Sequence, residues 1–292
     1  MNNNIKGLCV ALLAMFGAGI FAIPYRLSLE NADPLTAVCG IFIWALFFSF
    51  PGAWISRKRM VYSLKIGCIT LTTALSGLLG NYSACQSLAQ DSPTLFSLLS
   101  RSEIIIAIIL SWIFLKEWIS TRVWIALIFI CFGILVMKFE SLNFELNEWS
   151  ASLWALLSAF SFAVMLVLAK SIINEIDPQV LNVFRLIIAL IILSSFAEVR
   201  IGIANLKINE WKLLAFAAFC GPFLGRIAYT YSLRYLTISK SVIICSFSPV
   251  ITLLFELLVF GSIISSLEAL GGFIMLAGIV WVFVPKKKNN EI

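Results

Sequence analysis

The chain has 292 residues, of which 61% are apolar and 12% charged, with mean hydropathy +1.01 and a formal charge of +6. Soluble domains carry about 25% charged residues, so this composition excludes an ordinary soluble fold and puts most of the chain in lipid. The positive balance does not point to nucleic acid, because the lysines and arginines fall mainly in short runs between apolar stretches, as topology signals do.

A spanning helix needs roughly 20 mostly apolar residues. Ten blocks follow in chain order: Gly7 to Pro24, Leu35 to Ile55, Ile66 to Leu88, Thr94 to Leu115, Val123 to Met137, Ala151 to Ile172, Pro178 to Phe196, Trp211 to Leu233, Ser241 to Phe260 and Leu267 to Val284. The first is preceded by Lys6 and lacks a small-residue cleavage site, so it reads as a retained span. With an N-terminus inside, the inner segments hold 13 Lys and Arg (Lys6, Arg57, Lys58, Arg59, Lys65, Lys116, Arg122, Lys170, Arg234, Lys240, Lys286, Lys287, Lys288). The outer segments hold 5 (Arg26, Lys138, Arg200, Lys207, Lys212). Positive charge stays inside, so the expected location is the inner, cytoplasmic membrane, with both termini cytoplasmic.

The chain also matches itself. A shift of 145 residues aligns Gly80 with Gly225, Ser87-Leu88 with Ser232-Leu233, Ile119-Ser120 with Ile264-Ser265 and Gly133-Ile134 with Gly278-Ile279; nearer the start a shift of 144 aligns Asp33-Pro34 with Asp177-Pro178. Two similar halves with an odd number of crossings must lie upside down relative to each other, the plan of many secondary transporters. The expected fold class is therefore an all-α membrane protein with ten transmembrane helices as two inverted five-helix repeats. Residues 1–138 form the first repeat, 139–150 an outer linker, 151–284 the second repeat and 285–292 a basic cytoplasmic tail.

The sequence has no histidine, which removes HExxH zinc chemistry and every Ser/His or Cys/His nucleophile arrangement. Its seven cysteines (Cys9, Cys39, Cys68, Cys85, Cys131, Cys220, Cys245) stand singly in apolar blocks and read as core residues. An enzyme, a metal site and a cofactor are therefore not expected.

A charge at mid-bilayer costs at least about 2.5–3.5 kcal/mol, which singles out Arg101, Glu103, Arg185, Arg226 and Glu256 within the spans. Residues i and i+2 lie about 200° apart on a helix, so Arg101 and Glu103 are not a local pair. Glu103 shares a stripe with Ser100, Ala107 and Ser111, and the 145 shift places Glu103 on Ser248 and Ser111 on Glu256. Both halves thus put a carboxylate on one stripe of equivalent helices, a candidate cavity wall. Arg101 faces a greasier side and reads as a structural partner of another helix. Ser76 with Gly80, and Gly221 with Gly225, have the small-residue spacing that lets helices approach in lipid. Pro249 removes a backbone hydrogen bond in the ninth span, which is tolerated at membrane depth only against protein or a cavity.

These residues resemble the drug/metabolite transporter superfamily, specifically its EamA-type permeases. The second half supplies Asp177-Pro178, Arg185 in FRLIIAL, Pro249 in FSPVITLL and Gly278; the first supplies Asp33-Pro34, Lys116-Glu117 in FLKEWIS and Gly133, but has Ile41 and Ile104 where Arg185 and Pro249 would be matched. The resemblance implies a permease or exporter of a small organic solute such as an amino acid, working by alternating access. Glu103 and Glu256 are candidate proton or ammonium partners, and Arg185 and Arg226 could hold a carboxylate. Asn81, Tyr82, Gln86, Trp44, Tyr229 and Tyr231 offer polar or aromatic contacts; Arg101, Pro249, Gly80 and Gly225 are structural or gating candidates. A lipid or isoprenoid-carrier flippase of the same fold is the alternative, ahead of a non-transporting membrane protein.

Overall fold

The computed structural model describes residues 3–56, 63–90, 96, 99–100, 102–137, 148–260 and 266–283. These form helices α1 (Asn3–Ser28), α2 (Pro34–Ser56), α3 (Leu64–Gln90), α4 (Ser102–Leu115), α5 (Thr121–Met137), α6 (Glu148–Ser171), α7 (Pro178–Ser194) and α8 (Ala197–Asn205). They continue as α9 (Ile208–Ala218), a π-helical segment (Phe219–Gly225), α10 (Arg226–Ser232), α11 (Ile238–Cys245), α12 (Ser248–Phe260) and α13 (Ser266–Phe283). Among the described residues, five helical stretches are long and apolar enough to cross a bilayer: Ile5–Ser28, Pro34–Ser56, Ser150–Ser171, Ile208–Ser232 and Ile238–Val259. With the shorter apolar helices between them, the chain is a multi-pass membrane protein. Leu258, Phe273, Phe47 and Ile128 are largely exposed on its outside, as a surface solvated by lipid tails requires.

The Asp-Pro steps show how sequence sets helix starts. Asp177 sits in extended backbone at the N-cap of α7 and accepts the Gln179 amide at 3.0 Å. Pro178 follows where a missing N–H loses no bond. Asp33 does the same for α2, accepting the Leu35 and Thr36 amides at 3.1 and 3.2 Å.

Packing pairs the helices across the two halves. α3 lies along α6, and α1 lies along α9, the π segment and α10; α2 meets α7, and α5 meets α13. Exchanging the halves maps this pattern onto itself. The pairs are antiparallel: Gly80 meets Phe162 while Gly77 meets Met165, and Gly133 meets Gly271 while Gly278 meets Ala126.

Three local features depart from the sequence expectation. The seventh block ends close to where it was expected, and beyond it the chain turns by 101° into the separate helix α8, which none of the ten blocks includes and which carries Glu198 and Arg200. The eighth span passes through seven π-helical residues around Pro222, because a proline within a helix breaks the regular bonding ladder. The ninth is broken at Ser246–Phe247, so Pro249 is the second residue of a new helix, where its N–H is not needed.

Candidate functional site

A central cavity of about 120 Å³ is walled by α1, α3, α4, α6, α7, the π segment, α10, α11 and α12. Helices approach closely here where side chains are small. A methyl group at Gly17 of α1 would lie 2.5 Å from the Cys220 carbonyl oxygen and 2.9 Å from Gly225 Cα.

Five sequence-selected residues reach the cavity: Glu103, Arg226, Arg185, Asn81 and Tyr229, with Gly225 in the wall. Arg226 stacks on the Phe162 ring, its guanidinium carbon 4.6 Å from the centroid, a geometry in which the ring face attracts the cation. Glu103 and Arg226 interact electrostatically, and Arg185 is close enough to Arg226 to repel it. Arg185 is buried. Its Nη2 donates to Asn182 Oδ1 at 2.6 Å and its Nη1 lies 3.0 Å from Met165 Sδ. Asn182 and Arg185 are three residues apart on α7 and so share a face. The Asn182 amide donates to Ser49 Oγ at 2.9 Å and to the Pro222 carbonyl at 3.2 Å. One side chain therefore ties α2, α7 and the π segment together through the cavity-lining Arg185 and Pro222. Asn81 donates to the Gly77 carbonyl at 2.7 Å, keeping its buried amide satisfied.

Other selected residues lie elsewhere. Gln86 donates to Tyr82 at 2.8 Å, and Tyr82 packs edge-on against Trp154. Trp44 belongs to an aromatic cluster with Phe47, Phe48 and Trp211. Tyr231 donates to Asp177 Oδ1 at 3.0 Å, and Glu256 stands one turn beyond the cavity-lining Thr252 on α12. Gly80 receives the Phe162 ring, and Pro249 is buried beside the lining residue Ser248. Arg101 lies outside the described residues.

Phe162, Asn182, Ser49 and Pro222 were not singled out by sequence. The adjacent Gly221-Pro222 is a breaker pair that could have marked the π segment. Phe162 carried no such signal, being one of 24 phenylalanines. Among the described residues no cluster of ligating side chains suits a metal ion.

The sequence profile described as EamA-like transporter family matches this chain twice, over residues 5–139 and 149–284. The chain belongs to the EamA-like transporter family. It is 22% identical over 246 residues to the uncharacterized transporter YyaM of Bacillus subtilis, covering 80% of this chain and 78% of that protein. It is 25% identical over 134 residues to the uncharacterized inner membrane transporter YhbE of Escherichia coli, 45% of this chain and 42% of the other. A crystal structure 13% identical in sequence superposes with a TM-score of 0.75 over 96% of this chain and 97% of its own, a likeness of fold. The EamA assignment makes this chain a transporter.

Proposed function

We propose that this EamA transporter carries a small organic solute bearing a carboxylate, an amino acid being the simplest case, by alternating access about the central cavity. The observation that carries the reading is the charge on the wall. Two guanidiniums, Arg185 and Arg226, face one carboxylate, Glu103, among the described lining residues. Guanidinium stays protonated and binds carboxylate in a fixed fork, so the wall favours an anionic group. Glu103 is then the partner for a substrate ammonium or for a coupled proton. In this reading ten crossings form two inverted repeats, residues 1–138 and 151–284, supported by the antiparallel pairing of α3 with α6 and of α5 with α13. The transporter sits in the inner membrane with both termini cytoplasmic, as the loop charges favour. Of the linker and tail, residues 139–147 and 285–292 lie outside the described residues.

The test compares the metabolites inside and outside cells with and without the protein, then measures counterflow of the shifted solutes in proteoliposomes. Carboxylates should dominate the shifts, and Arg226→Gln should lower their counterflow about tenfold or more, the loss expected for one charged hydrogen bond. Shifts confined to cations, or an Arg226→Gln protein equal to wild type, would sink the proposal.

A further inference from the structure

The face carrying Lys170, Arg234 and Lys240 is tied shut by a polar network. Arg234 donates from Nε to the Ile173 carbonyl at 3.3 Å and from Nη2 to the Ile176 carbonyl at 3.2 Å, and its Nη1 lies 3.4 Å from Asp177 Oδ2. Tyr231 donates to the same carboxylate at 3.0 Å. These ties lie within the second half of the chain. The first half enters through Glu117. Its Oε2 accepts the Ile238 amide at 3.1 Å, and its Oε1 lies 4.0 Å from Lys170 Nζ. Lys170 in turn donates to the Leu233 and Leu236 carbonyls. One carboxylate therefore bridges the end of α6 and the start of α11 from the loop after α4.

The backbone is bent to put it there. Lys116 has φ of 53°, a left-handed conformation that suits glycine and is uncommon for other residues. It ends α4 and turns the Glu117 amide back onto the Ser111 carbonyl at 3.3 Å. Such strain persists where the surroundings over-determine it, and it clusters at switch regions.

The internal repeat gives the opposite face different chemistry. At the 145 shift, Lys116-Glu117 becomes Gly261-Ser262, and Ile238 falls on Pro93. Serine has no charge to offer a lysine, and proline has no N–H to offer an acceptor. The cap residues differ likewise. Asp33 caps α2 as Asp177 caps α7, but the places of Tyr231 and Arg234 are taken by Gln86 and Ala89, and Gln86 donates to Tyr82 instead.

We propose that Glu117 is the gating residue of the transport cycle: it latches the Lys170 face, and its repeat counterparts in the sequence, Ser262 and Pro93, have neither the carboxylate nor the N–H to make the same clasp. The resting transporter then presents its cavity to the side opposite Glu117, and the cycle must break the Glu117 clasp to open the other. This rests on the reading that the halves rock about the cavity.

The test reads sidedness. Cys245 lines the cavity and is kept as the one thiol in the full chain, the other six replaced by alanine or serine. A membrane-impermeant methanethiosulfonate is applied to right-side-out and to inverted vesicles. Ala84→Cys, at another lining position, replaces Cys245 as reporter in a parallel set. Wild type should react at least about tenfold faster from the face opposite Glu117. Glu117→Gln keeps an acceptor for Ile238 but loses the pair with Lys170, and should speed reaction from the Glu117 face severalfold. Glu117→Ala loses both contacts and should speed it more, while Lys170→Met loses the pair together with its bonds to the Leu233 and Leu236 carbonyls and should speed it at least as much as Glu117→Gln. Reaction from the opposite face reports that each variant remains folded. Equal rates from the two faces in wild type, or an unchanged rate from the Glu117 face in all three variants, would overturn the latch. If that happened while Arg226→Gln still lost counterflow, the gate would fall and the transport reading would stand.

Discussion

The closest backbone approach in the cavity wall allows a graded test of what holds this bundle together. In lipid, apolar burial gives helices little reason to associate, so packing and small residues carry much of the association. At Gly17 an added methyl meets backbone on every side: the Cys220 carbonyl oxygen at 2.5 Å, Gly225 Cα at 2.9 Å and Gly225 N at 3.0 Å. A carbon normally stands about 3.3–3.6 Å from a carbonyl oxygen, so α1 must back away from the π segment by most of an ångström. Overpacking of this kind costs about 1–3 kcal/mol, and here no side chain can rotate to relieve it. At Gly67, in α3, a methyl meets nothing within 4 Å, and alanine should gain up to about 1 kcal/mol of helix propensity. The two substitutions have the same chemistry and opposite expected signs. Tryptophan fluorescence during thermal unfolding in detergent should place Gly17→Ala several degrees below wild type and Gly67→Ala at or above it. Equal midpoints for the two variants would refute the claim that this glycine contact holds the bundle.

Three further outcomes follow from the same geometry. Asn182→Leu strands the buried Arg185 and the Pro222 carbonyl, and should cost about 3 kcal/mol or more, read as the largest drop in unfolding midpoint among single polar substitutions. Phe162→Leu removes the ring under Arg226 but keeps an apolar wall; counterflow of the solutes identified in cells should rise several-fold in KM, with the unfolding midpoint moved much less than by Asn182→Leu. Lys116→Gly keeps the Glu117 carboxylate while relieving the left-handed backbone, and should stabilise by about 1 kcal/mol, without opening the Lys170 face to the impermeant thiol reagent.

The membrane character was legible because a length of apolar chain is a physical requirement rather than a tendency, and the repeat was legible from positions matched in order, which the two family matches bear out. Charge inside a span needs an explanation, and that rule picked out Glu103, Arg185 and Arg226, which line the cavity, together with Glu256, which does not. Tyr82, Gln86, Trp44 and Tyr231 were chosen only as polar or aromatic groups in the right spans. A helix face is settled by which neighbour packs against it, and that was not in the pattern. The π segment and the break before Pro249 alter which way the following residues point. A regular 3.6-residue count cannot follow a chain through either one. Asn182 and Ser49 are ordinary residues made important by a contact 133 positions apart.

The two halves share a scaffold but not a chemistry, and that difference is what a directional transporter needs. In one half Gly225 meets Gly17, backbone against backbone; in the other Gly80 meets the Phe162 ring, on which Arg226 rests. The equivalent contact is spent on close approach in the first case and on holding a cation against the cavity in the second. In the sequence the same split recurs, with Glu117 in one half and Ser262 at its counterpart in the other. A perfectly symmetric pair of repeats would hold its two end states at equal free energy and bind a solute alike from either side. Each departure from symmetry biases one state, because a group shifts a two-state equilibrium only by its differential interaction with the two. The residues that break the repeat are therefore where direction and selectivity should be sought, ahead of those that preserve it.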